Sequence, residues 1–364
     1  MILEQNKFHK SFKLNGTSFG SVDKILEFSK GFSDEINQFL EQWFSKEISI
    51  SVQTSGSTGK PKTIQLKKEL MQNSAVATGN YFNLPEKTTA LLCLPIAYIA
   101  GKMMLVRALT LGWHLDCIAP SAHPLEKVNS KYHFSAMIPL QLENSLSKIS
   151  LIDKLIVGGG VVSNTLQQKL STVSTQIFAT YGMTETITHI AVKALNNFSK
   201  DVSNTDKISF YTILPNITIY KDQRNCLVID APKVAEEIIF TNDVVDLISD
   251  THFGWLGRFD NVINSGGVKL HPEKIEEKLS KILTNRFFVA GLADDKLGEK
   301  LVLIIEDKVS TEVENQLLKE IKNLETLTKF EKPKEIYFIS KFIETSTGKV
   351  QRTETFQKIF FTKK

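Results

Sequence analysis

The chain has 364 residues, with 44 Lys and Arg against 40 Asp and Glu and a formal net charge of +4. That is too small for the basic field of a nucleic-acid-binding protein, and the basic residues are dispersed rather than interleaved with aromatics. A hydrophobic content of 42% and a charged content of 23% suit a globular chain of roughly two domains and exclude disorder, collagen and coiled coil for the whole. Cys93, Cys117 and Cys226 form no CxxC pair and are expected as buried thiols in a reducing cytosol. The amino terminus lacks the apolar core of a secretion signal, so a cytoplasmic protein is expected. The most apolar stretch, residues 90–101, is shorter than the roughly 20 residues of a membrane span. It carries Pro95, is followed by Lys102, and reads as buried strand and turn with no membrane association.

Residues 33–46 place Ile36, Phe39, Leu40, Trp43 and Phe44 on one helical face, with Ser33 as cap and Asp34 and Glu35 in the first turn. The period then changes to two at Ile48, Ile50 and Val52, and again at Ile64 and Leu66, which predicts two strands flanking a polar loop. A strand ending in Gly158, Gly159 and Gly160 leads to a helix beginning near Ser163, and residues 175–181 form another strand ending in a polar loop. This recurrent strand, loop and helix order predicts an α/β body. The last hundred residues differ. Pro272 opens a helix carrying Ile275, Leu279, Ile282 and Leu283 on one side. Strands over 287–293 and 300–306, a helix carrying Val313, Leu317, Ile321 and Leu324, and a strand over 335–340 complete a compact α+β unit. The expectation is a large N-terminal domain, 1–259, and a small C-terminal domain, 260–364, joined near Asp260.

The chemistry concentrates in loops. Thr54, Ser55, Gly56, Ser57, Thr58, Gly59, Lys60, Pro61 and Lys62 supply hydroxyls, glycines and cations that suit wrapping around phosphate oxygens. A flexible hairpin loop is the plainer alternative on composition alone. It is not a Walker A loop, because Pro61 stands where Ser or Thr should follow the Gly-Lys pair and a strand follows where a helix should begin.

Five segments occur together: residues 54–62, the run Tyr181-Gly182-Met183-Thr184-Glu185-Thr186, the Asp243 segment, Gly257-Arg258-Phe259-Asp260, and Ser346-Thr347-Gly348-Lys349. In order and spacing they resemble the adenylate-forming enzymes, which include acyl-CoA synthetases, luciferases and peptide-synthetase adenylation domains. The likeness runs from about Ser51 to Thr355. It implies that residues 54–62 are a pyrophosphate-binding loop, that Thr184 contacts the α-phosphate of ATP, and that Glu185 holds Mg²⁺. Gly159 and Gly160, with Tyr181 and Gly182, would line the adenine and acyl pocket, and Asp243 and Arg258 would bind the ribose. Asn242 stands where the family has glycine, and asparagine's tolerance of left-handed backbone would preserve a turn there. Lys349 would be catalytic, cancelling charge as a carboxylate attacks the α-phosphorus. The family's second step follows a swing of the small domain about a hinge acid, here Asp260, which would bring Ser265, Gly266 and Gly267 up to a CoA tunnel.

The acid itself is read from residues 94–109. Tyr98 stands where the family often has histidine, and Lys102 and Arg107 are two cations in an otherwise apolar run. An anionic substrate tail would give either a partner, the alternative for each being water or a protein acid. This run looks most like that of the o-succinylbenzoate CoA ligases of menaquinone biosynthesis, and the chain is short, as theirs can be. His189 is a candidate to face the aromatic carboxylate, or a plain core histidine. The alternatives are another aryl or medium-chain acyl-CoA ligase, a carrier-loading adenylation enzyme, and a non-catalytic nucleotide sensor.

Overall fold

A computed structural model describes residues 8–53, 63–196, 210–308, 311–345 and 350–361. Helices α1 (Val22–Lys30) and α2 (Asp34–Phe44) begin where the hydroxyls of Ser21 and Ser33 accept from the N–H groups of Lys24 and Ile36. The apolar face read for α2 is buried in full. Strands Ser49–Gln53 and Thr63–Lys67 pair antiparallel on either side of residues 54–62 and lead directly into α3 (Lys68–Tyr81).

The main sheet carries six parallel strands side by side: Lys13–Leu14, His114–Cys117, Thr89–Leu92, Tyr132–Met137, Ile152–Val157 and Gln176–Gly182. Their side chains alternate between two cores. Leu92, Phe134 and Ile156 pack on one face with Met71 of α3 and Met103 of α4 (Ile99–Leu111). Leu91, Met137 and Val157 pack on the other with Leu142 of α5 (Pro139–Ser145) and Leu166 of α6 (Asn164–Lys169). Beyond Gln176–Gly182 the sheet continues antiparallel through His189–Ala194, Tyr211–Ile213, His252–Arg258, Ile239–Ser249, Cys226–Asp230 and Thr218–Lys221.

Residues 99–101, taken from sequence into a strand-and-turn stretch, instead open α4. This helix buries Met103 through Thr110 on every side, so no 3.6-residue stripe announces it. Gly101 lets its first turn sit against the preceding loop: an ideal Cβ there would lie 2.3 Å from the Pro95 carbonyl oxygen. Gly101→Ala is therefore expected to destabilise the fold by about 1–3 kcal/mol, read as a lower urea midpoint.

A second sheet runs in the order Val268–Leu270, Ile263–Ser265, Gly298–Glu306, Phe287–Asp294, with Glu335–Ile339 parallel to Gly298–Glu306. Helices α7 (Pro272–Leu279), α8 (Thr311–Asn323) and α9 (Arg352–Phe360) accompany it, and Ile275, Leu279, Leu303, Ile321 and Ile336 share its core. Together these are a large α/β unit and a small α+β unit. Cys93 and Cys226 are buried and Cys117 is half-buried; all three are free thiols, and burial pushes that of Cys93 up to about 12. Among the described residues no helix is long and apolar enough to cross a membrane.

Candidate active site

The carboxyl ends of the parallel strands lie along one edge, where the sequence places its loops. After Ile152–Val157 the chain turns through Gly158, Gly159 and Gly160. Gly159 has φ +79°, and a Cβ on Gly158 would come within 2.7 Å of Thr180 Oγ1. After Gln176–Gly182 it enters a single 3-10 turn, Thr184–Thr186. Gly182 is compulsory there, because a Cβ would fall 2.2 Å from the Thr188 carbonyl oxygen. The Thr186 hydroxyl accepts from the Met183 N–H at 3.0 Å and lies 2.8 Å from the Thr188 carbonyl oxygen. Buried Ile187 then takes φ 64° and ψ −62°, while the Thr188 N–H donates to the Thr186 carbonyl at 2.7 Å. That is a γ-turn of the rare kind, costing a β-branched residue about 1–3 kcal/mol, and the surrounding packing holds it. Its effect is to fix Thr184 and Glu185 at the sheet edge. Glu185 is exposed and has no hydrogen-bond or ion-pair partner among the described residues, so its carboxylate suits a hard cation that keeps waters and phosphate oxygens.

Asp243 sits across from Tyr181. Its Oδ2 accepts from the Tyr181 hydroxyl at 2.7 Å and its Oδ1 from the Trp255 indole N–H at 3.1 Å. Arg258, its backbone partner in the neighbouring strand, lies 3.7 Å from Oδ1. Burial, and then the Asp243 charge, hold the Tyr181 hydroxyl well above its ordinary pKa, so it stays a donor. The structure thus brings Tyr181, Asp243 and Arg258 together and adds Trp255, which sequence reasoning missed. Asn242 is a correction. It lies in the extended strand Ile239–Ser249, without positive φ, so no left-handed turn exists there.

The acyl candidates separate. Tyr98 caps α4 and is 41% exposed. Lys102 does not join the others: its ammonium donates to the Ile96 carbonyl at 2.8 Å and lies 5.3 Å from the centre of the Phe39 ring, toward α2. Arg107 is 1% exposed. It donates through Nε to Thr78 Oγ1 at 3.3 Å, its Nη2 has no partner, and no acid pairs with it among the described residues. Burial alone pushes the guanidinium down to about 9. His189, 5% exposed, also has an unpartnered Nε2, and burial followed by the Arg107 charge lowers it to about 3, leaving a neutral imidazole. His189 borders a cavity of about 200 Å³ between α3 and residues 214–217, lined also by Asn73, Ala77, Asn80 and Ile190.

The loop 54–62, with Thr54, Ser55, Gly56, Ser57, Thr58, Gly59 and Lys60, lies outside the described residues, as does Lys349. The residues on either side of 346–349 are described. Glu344 and Val350 form a β-bridge, the Gln351 N–H donates to the Ile343 carbonyl at 2.8 Å, and Arg352 pairs with both oxygens of Glu276 at 2.8 and 2.7 Å. Gly266 and Gly267, with φ +57° and +80°, form the two-residue tip between Ile263–Ser265 and Val268–Leu270.

A doubly covered parallel sheet, a glycine turn and a strained Thr-Glu turn on one edge, and a small α+β unit beyond describe an adenylate-forming enzyme. Residues 45–225 match the family model of AMP-binding enzymes. A solved acyl-CoA synthetase (AMP-forming)/AMP-acid ligase II-like protein from Dyadobacter fermentans is 36% identical, covering 89% of this chain and 93% of its own, with a TM-score of 0.58. The chain belongs to this family. Among curated relatives, the 2-succinylbenzoate–CoA ligase of Listeria monocytogenes is 24% identical over 344 residues, which cover 87% of this chain and 71% of the relative. In fold the chain is similar to the o-succinylbenzoate coenzyme A synthetase of Bacillus subtilis, solved with ATP and magnesium. That match has a TM-score of 0.70 at 18% identity and covers 92% of this chain and 82% of the other.

Proposed function

We propose that this enzyme ligates CoA to o-succinylbenzoate. A substrate carboxylate attacks the α-phosphorus of ATP, pyrophosphate leaves, and an acyl-adenylate forms. The CoA thiol then attacks the acyl carbonyl, giving the thioester and AMP. No protein nucleophile is needed. The work left to the chain is alignment and charge cancellation. Residues 54–60 would hold the β- and γ-phosphates, Thr184 the α-phosphate, Asp243 and Arg258 the ribose, and Gly159, Gly160 and Tyr181 the adenine. Glu185 would hold Mg²⁺, which supplies charge neutralisation at the phosphates.

The observation that carries the choice of acid is Arg107, a fully buried guanidinium with an unsatisfied nitrogen and no acid beside it. Burying an unpaired charge is costly, and a ligand carboxylate offsets that cost. A monocarboxylic acid, consumed at its carboxylate, leaves Arg107 unpaired, whereas a diacid does not. The cavity beside His189, at about 200 Å³, exceeds the roughly 150 Å³ that accepts a benzene ring and so has room for an aromatic acid. The names of the curated ligases agree with this reading.

The test mixes the protein with Mg-ATP, CoA and o-succinylbenzoate, beside benzoate and octanoate, and follows AMP and acyl-CoA by mass spectrometry. Thioester from o-succinylbenzoate alone is expected. Thioester from a control acid alone overturns the substrate, and AMP from none overturns the catalytic reading. A second expectation concerns Trp255. Trp255→Phe removes one of the donors that aim Asp243 and is expected to raise KM for ATP by about 5- to 10-fold, with kcat within about twofold.

A further inference from the structure

The two units are joined by residues 259–262, a single 3-10 turn over Phe259–Asn261 closed by the Val262 N–H donating to the Phe259 carbonyl at 3.2 Å. Each residue of that turn is held. The Arg224 guanidinium lies 5.3 Å from the centre of the Phe259 ring, and Asn261 donates to Glu273 of α7. Asp260 Oδ2 accepts from Asn242 Nδ2 at 3.1 Å and lies 3.7 Å from Arg258.

Asn242 is the bridge in this arrangement. Its Oδ1 accepts from Arg224 Nη1 at 2.9 Å while its Nδ2 donates to Asp260, so the amide has one orientation with both ends engaged. Arg224 is fixed in turn by Asp222 at 2.8 Å and by the Thr241 carbonyl at 3.0 Å. The next residue along the strand is Asp243, and Arg258 lies 3.7 Å from both Asp243 and Asp260. The acid of the nucleotide site and the acid of the connector therefore share one cation and are linked by one asparagine. Glycine at position 242 deletes the link and strands Arg224 Nη1. A second tie between the units, Asn164 of α6 donating to the Glu277 carbonyl at 2.7 Å, lies far along the chain from it.

We propose that Asn242 is a positioning residue that sets the orientation of the C-terminal unit by holding Asp260 beside Asp243. This rests on the function proposed above, together with the swing of the small unit between its two steps that the family resemblance implies. In Asn242→Gly the connector loses a fixed donor. In Asn242→Asp a carboxylate faces Asp260 across the same gap while its pairing with Arg224 is kept, which makes it a second variant with the core untouched.

The full chain is spin-labelled at Ser130→Cys, on the large unit, and Lys319→Cys, on α8, both exposed; a parent without these substitutions gives the background from the native thiols. The distance distribution between labels is expected to be narrow in the doubly labelled chain that keeps Asn242 and clearly broader or displaced in both Asn242 variants. The ratio of the two half-reaction rates, adenylate formation against thioester formation from supplied acyl-adenylate, is expected to shift by about fivefold or more, with KM for ATP within about twofold. Distance distributions in both variants like that of the labelled chain with Asn242 overturn the proposal, whatever the activity. A chain inert toward every acid, whose variants still broaden the distribution, sinks the function and leaves the positioning role standing.

Discussion

Lys349→Ala is expected to slow acyl-adenylate formation by about 10²- to 10³-fold, while thioester formation from supplied acyl-adenylate stays within about threefold. The reaction's transition state spreads negative charge over phosphoryl oxygens, and an ammonium delivered there acts only in that step. Folding should not suffer, because the residues on either side are held by the Glu344–Val350 bridge and the Arg352–Glu276 pair, and neither involves the lysine. The paired assays are ATP–pyrophosphate exchange for the first step and CoA consumption for the second. Equal loss in both would mean that Lys349 supports the small unit as a whole rather than one step, and the assignment would fall.

What the sequence made legible depended on periodicity and punctuation. Helix α2 announces itself by Ser33, two acids and an apolar stripe, and α7 by Pro272 and Ile275. The hairpin around residues 54–62 follows from its alternation. Helix α4 defeats this reasoning because a helix buried on all sides has no stripe, and Pro95 just upstream suggested a turn running through its start. The same blindness made Lys102 and Arg107 look equivalent. Five residues apart on a helix, they point about 140° from each other, so one meets Phe39 and α2 while the other is sealed in beside His189. Motif order picked out Tyr181, Asp243 and Arg258, which the structure brings together. The contributions of Trp255 and Asn242 depend on the pairing of Ile239–Ser249 with His252–Arg258 and on the fold of the connector, and neither leaves a mark in spacing. The strained Ile187 is likewise invisible, since nothing in an isoleucine signals positive φ.

Arg107→Met separates a ligand anchor from a structural cation, because the two roles predict opposite signs for stability. The side chain is fully buried, lacks an acid partner and leaves one nitrogen unsatisfied, so an apolar residue of similar length is expected to hold or raise stability, by up to about 1–3 kcal/mol in urea unfolding. Activity should move the other way. If Arg107 is the anchor proposed above, losing it is expected to lower kcat/KM for o-succinylbenzoate by about 10²-fold or more, while any residual turnover of benzoate, which has no second carboxylate, is unchanged. The pH dependence has a definite sign. With burial holding the guanidinium down to about 9 in the free protein, its charge is present below that pH and lost above it. Diacid kcat/KM should therefore fall as pH rises through about 9, with no such limb for benzoate or in Arg107→Met. His189, lowered to about 3, stays neutral across that range and cannot produce the limb. A less stable Arg107→Met that loses diacid and monoacid turnover alike would make Arg107 a structural residue and return the choice of substrate to the residues that line the cavity beside His189.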